Sequence, residues 1–72
     1  MNKVNPKKLL NSKWTAQAPQ NKEKHFIVTN IEFDEHGEVR SCELESVFSK
    51  RQEYIDWREL KDTGRWKQGW LN

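Results

Sequence analysis

Apolar positions are dense in the middle of the chain and sparse at its ends. The stretch "KHFIVTNIEF", residues Lys24–Phe33, is rich in β-branched and aromatic side chains and predicts a strand of about ten residues. Ile27, Ile31 and Phe33 share one parity, and Phe26 and Val28 the other, so its first half is apolar on both sides. "DEHGE" is a turn, with Gly37 available for a positive φ. "VRSCELESVFS" is a second strand: Cys42, Leu44 and Phe48 fall on one parity, Val39 and Val47 on the other. The short "SKR" connection implies a tight antiparallel turn into a third strand, "QEYIDW", with Tyr54 opposed to Ile55 and Trp57. A short fourth strand is centred on Trp14 in "KWTAQ", with Ala16 on the same side, and polar "APQNKE" reads as a loop.

The ends read as helical turns. In "NPKKLL", Asn5 suits an N-cap and Pro6 the first helical position, where a missing N–H is harmless. Leu9 and Leu10 would dock on the core. In "RELKDTGRWKQGW", Asp62 is an N-cap candidate and Gly69 a C′ candidate, and helical spacing would set Trp66 and Trp70 on one side. The expected fold is mainly β, a curved antiparallel meander of three or four strands. Its closed limit is a small SH3-like barrel, with helical turns near residues 6–10 and 63–68. Apolar residues on both parities favour such curling, which also covers sheet edges.

A chain of 72 residues makes a single domain, 1–72. A third of it is charged, yet four Trp, three Phe and one Tyr argue against disorder. Each buried aromatic removes roughly 150–250 Å² from water, so a few large side chains can carry a small core. Trp14 and Trp57 are expected there. The single cysteine, Cys42, permits no internal disulfide and fits a reducing compartment. No apolar run has signal-peptide or membrane-span length, so a cytoplasmic protein without a membrane role is expected.

"NPKKLLNSKWTA", "KHFIVT" with its acidic turn, "DWRELKD" and "WKQGW" together resemble a family of small, uncharacterised tryptophan-rich proteins of proteobacteria and cyanobacteria. The resemblance covers nearly the whole chain, and Trp14, Trp57, Trp66 and Trp70 match its tryptophan pattern. It implies a bacterial, cytoplasmic protein and brings no activity, cofactor or site.

Catalysis finds little support. Cys42 lies in a strand with Leu44 on its parity and reads as core, while His25 and His36 are separated along the hairpin. No short-spaced ligand pair for a metal and no glycine-rich phosphate loop is present. Glu43 and Glu45 read as a solvated strand face. We expect no enzyme, no metal and no cofactor.

The net charge is only +2, but residues 1–24 carry +5, residues 25–48 carry −5 and residues 49–72 carry +2. Basic ends around an acidic middle are either a polyanion-binding arrangement or self-complementary within the fold. Small curled sheets hold single-stranded nucleic acid by stacking bases on aromatics beside basic side chains. Candidate stacking residues are Trp66, Trp70, Tyr54 and Phe26; candidate phosphate contacts are Lys7, Lys8, Lys13, Arg51, Arg58, Arg65 and Lys67. RNA is therefore the first expected partner. The alternative is a protein partner, since Trp, Tyr and Arg are also enriched in protein hot spots. A monomer is expected, with weak self-association through a sheet edge. Trp66 and Trp70 keep two readings: a lid over a small core, or an exposed stacking surface.

Overall fold

The computed structural model describes residues 1–71, in which five antiparallel strands form one sheet of spatial order β4-β3-β2-β1-β5. The strands are β1 (Lys13–Gln20), β2 (Glu23–Phe33), β3 (Val39–Ser46), β4 (Gln52–Ile55) and β5 (Trp66–Gln68). Two short 3-10 turns, Pro6–Lys8 and Trp57–Lys61, complete it. The sheet is curved but not closed, so the barrel limit is not reached.

The central hairpin follows the alternation of its residues. Val28 pairs with Leu44 and Ile31 with Cys42. A bulge between Val28 and Asn30 resets the parity of β2, so Ile31 packs on the same core as Phe26 and Val28. That explains apolar residues on both parities of "KHFIVTNIEF". The Asp34 carboxylate closes the hairpin by accepting from the N–H groups of His36 (2.8 Å) and Glu38 (3.0 Å). Phe33 and Phe48 are exposed; Phe48 lies in the β3–β4 turn instead of continuing the strand.

Three expectations at the periphery are corrected. "APQNKE" is not a loop: β1 continues to Gln20, and Asn21 and Lys22 alone turn the chain, at φ 55° and 63°. Positive φ at both central residues is what a two-residue type I′ hairpin requires. Trp57 is not in a strand. β4 stops at Ile55, and Asp56 caps the second 3-10 turn, its carboxylate accepting from Arg58 N–H (3.0 Å) while Glu59 accepts from Asp56 N–H (3.4 Å). Residues 66–68 are not helical: β5 pairs Trp66 with Ala16 and Gln68 with Trp14. The N-terminal turn forms as expected on Asn5 and Pro6, but only Leu9 is buried, and Leu10 is exposed.

The core is Leu9, Trp14, Phe26, Val28, Cys42, Leu44, Leu60 and Trp66, with Ile55 and Trp57 packed against it. Trp66 meets Phe26 edge-on, with ring centroids 5.3 Å apart. The outer side of β5 is tied to the N-terminus: the Asn2 side-chain amide donates to the carbonyls of Leu60 and Trp66, both at 2.8 Å. No described helix is long and apolar enough to cross a membrane.

Candidate nucleic-acid interface

Strand alternation divides the sheet into a core face, carrying Trp14 and Phe26, and an outer face, carrying Lys13, Thr15 and His25. At Gly69 (φ 80°) the chain leaves β5 and crosses that outer face. The positive φ suits glycine and lets the tail turn back over the sheet. The crossing is fixed by hydrogen bonds. Gly69 N–H donates to the Lys13 carbonyl (2.7 Å). The Thr15 hydroxyl donates to the Gly69 carbonyl (2.7 Å) and accepts from Leu71 N–H (2.9 Å). His25 Nε2 lies 2.6 Å from the Leu71 carbonyl. A carbonyl only accepts, so His25 carries a proton on Nε2.

These bonds seat Trp70 on the outer face. Its Nε1–H donates to the Phe26 carbonyl (2.9 Å), and 42% of the residue stays exposed. Lys13 Nζ stands 4.8 Å from the indole centroid, a cation–π distance, and the His25 ring lies 6.1 Å away. Lys67 pairs with Thr15 on the neighbouring strand and is exposed. An oriented indole with a lysine and an imidazole about it is an arrangement that can stack on a flat ring and contact a nearby anion.

The structure gathers some of the expected residues and disperses others. Lys13 and Trp70 come together, and Lys67 stands beside Thr15 on β5. Trp66 is withdrawn from the surface: it is 8% exposed and part of the core, so it offers no stacking face. Phe26 is likewise buried. Tyr54 is exposed, but on β4 at the far edge of the sheet from β5. It stands beside Glu43, whose charge pushes the phenol pKa up, an environment hostile to phosphate. Arg58 is paired with Asp56 (2.8 Å) and Arg65 with Glu59 (2.9 Å). Lys7 and Lys8 sit exposed on the first 3-10 turn, outside the strand pairs that build the Trp70 face.

Arg51 is exposed but engaged by carboxylates. Its guanidinium grips the buried Glu23 carboxylate through Nε (3.0 Å) and a terminal nitrogen (2.8 Å), and also binds Glu53 (3.0 Å). The Ser49 hydroxyl donates to the same Glu23 carboxylate. The Arg51 and Ser49 bonds outweigh the effect of burial and hold Glu23 down at about 2. Burial, with a smaller contribution from the charge of Asp56, pushes the Cys42 thiol up to about 11. A thiol so placed stays protonated and makes a poor nucleophile. Among the described residues, no three His, Cys, Asp or Glu side chains gather where they could hold a metal ion.

Thr15 and His25 were not singled out as site residues by sequence, although their alternation opposite Trp14 and Phe26 marks them as outward-facing. What fixes their role is the returning tail, which local patterning does not reveal.

The fold and this face define a small, half-curled antiparallel β domain with a basic, aromatic patch on its outer side. The chain belongs to the tryptophan-rich protein family DUF2389, whose model matches residues 12–71, a span that takes in all five strands and all four tryptophans. No curated protein and no solved structure matches the chain.

Proposed function

We propose that this protein is a non-enzymatic binding module of the bacterial cytoplasm that holds single-stranded RNA on the outer face of β1, β2 and β5. Trp70 stacks on a base, while Lys13 and Lys67 contact the flanking phosphates. The observation that carries the reading is the seating of Trp70: its N–H is fixed on the Phe26 carbonyl while the residue remains 42% exposed beside Lys13. A pre-oriented aromatic loses little freedom on binding. A protonated, buried single cysteine is consistent with a reducing compartment.

Fluorescence polarisation with a labelled uridine-rich 12-mer tests this. Trp70→Ala should weaken binding about tenfold, as loss of one stacked base does. Lys13→Gln with Lys67→Gln should flatten the salt dependence by about one to two phosphate contacts. Wild-type protein that fails to bind at tens of micromolar, or variants that bind like wild type, would overturn the proposal.

A second reading has its own support. Glu43 and Glu45 of β3 lie on the outer face near Tyr54 and repel a polyanion there. That half of the molecule suits a protein partner instead.

A further inference from the structure

β2 is the middle strand of the sheet. At Ile27 its pairing is regular on both sides: Ile27 stands opposite Lys13 of β1 and opposite Glu45 of β3, clear of the bulge after Val28. Phe26 and Val28 belong to the core, so Ile27 and both its partners lie on the outer face. Ile27 is half-buried and takes no part in the core. Neighbouring strands are about 4.8 Å apart, so Lys13 and Glu45 flank Ile27 at nearly equal distances. The row across the face therefore reads cation, isoleucine, carboxylate.

Neither charge is answered within the fold. Among the described residues, Glu45 has no cation and Lys13 no carboxylate within ion-pair distance. Glu45 accepts from the Gln52 side-chain amide (3.0 Å), which leaves its charge in place, and Lys13 stands over Trp70. Glu43, on the same side of β3, accepts from the Thr29 hydroxyl (3.0 Å) and adds to the negative field. The arginines Arg40, Arg51, Arg58 and Arg65, by contrast, are all paired inside the chain.

Opposite charges at equal distances about an apolar centre make a face complementary to itself, as a two-fold interface requires. The matching axis lies over Ile27 and runs along β2. Half a turn about it sets Ile27 on Ile27, and each Lys13 on the Glu45 of the other copy. The sheet curves around its core, so the outer face bulges along β2 while β4 and β5 fall away. Contact is confined to the middle strands, below the roughly 1,200 Å² of a stable interface, and the association is weak.

We propose that this outer face is a self-association surface, on which two copies of the chain pair about β2 through reciprocal Lys13–Glu45 ion pairs around Ile27. This goes beyond the RNA reading and does not rest on it. A second copy seated here lies beside Trp70 and competes with any other ligand of that face.

Sedimentation equilibrium of the protein without nucleic acid tests it. A dimer should form at about 1 mM chain in about 50 mM salt, and should largely dissociate in about 500 mM salt, which screens exposed ion pairs. Lys13→Glu and Glu45→Lys should each be monomeric at low salt, because each sets like charges opposite one another at both contacts. An equimolar mixture of the two variants should dimerise again, because both contacts then join opposite charges. Circular dichroism checks that the variants fold. If either does not, isotope-filtered NOEs between the Ile27 methyl groups of labelled and unlabelled wild-type chains serve as the readout. Wild-type protein that stays monomeric at low salt, association that survives a single charge reversal, a mixture that stays monomeric, or absence of those NOEs would overturn the proposal.

Discussion

Trp66 and Trp70 hold the same residue, Phe26, from opposite faces of the sheet. Trp66 packs its ring against the Phe26 ring in the core, at 5.3 Å between centroids, and Trp70 donates from outside to the Phe26 carbonyl at 2.9 Å. A helical turn would have set the two indoles side by side. A short strand followed by the reversal at Gly69 separates them.

That separation predicts two different mutants. Trp66→Ala removes a core aromatic and should destabilise by about 3–5 kcal/mol, a large part of what a domain this small has. Trp70→Ala loses one hydrogen bond and partial burial and should cost about 1–2 kcal/mol. Urea titrations measure both. Equal losses would contradict the assignment of the two faces.

The β1–β2 turn carries a correctable strain. Lys22 holds φ 63° with a side chain that disfavours it. Lys22→Gly should stabilise the fold by about 1 kcal/mol and raise Tm by roughly 4–8 °C. An unchanged or lower Tm would show that the turn is not of the two-residue, positive-φ kind.

Glu23 sets an acid limit on stability. Its folded pKa is depressed from 4.5 to about 2, chiefly by Arg51 and then by Ser49. The native state therefore favours the carboxylate, and the stability it contributes is fully present above the unfolded value, near 4.5. It is lost as pH falls from there through about 2. Thermal melts between pH 7 and 2 should show a steep decline in that window, and Glu23→Gln should flatten it. A Glu23→Gln profile parallel to wild type would remove Glu23 as the cause.

Cys42 should be silent in the folded state. With its thiol buried and raised to about 11, alkylation by iodoacetamide at pH 8 should be far slower than for a free thiol and should accelerate when urea unfolds the chain. Rapid modification of native protein would show that the β3 strand opens readily.

Much of this was legible in the residues, for physical reasons. β2 and β3 announce themselves because alternation and β-branching coincide, and the Asn5 and Pro6 cap is a local signal. The second half of β1 was hidden by Pro19. It lies past Ala16, where β5 no longer pairs with β1, and such an edge tolerates proline. The Asp56 and Glu59 capping box stood in "DWRELK", but the run of apolar alternation through Ile55 and Trp57 concealed it. The candidate site was half legible. Basic and aromatic interleaving pointed to Lys67 and Trp70, whereas the meeting of Trp70 with Lys13 and His25 depends on strand order and on a tail folding back, both products of long-range pairing.

The most direct test of the RNA proposal follows the four indole N–H signals while a uridine-rich 12-mer is added at about 50 mM and then about 300 mM salt. The account predicts that the Trp70 indole shifts at low salt, together with the Lys13, His25 and Lys67 amides, that the buried Trp14 and Trp66 indoles hold still, and that the shifts shrink at high salt. A Trp70 indole that does not move at low salt would contradict it.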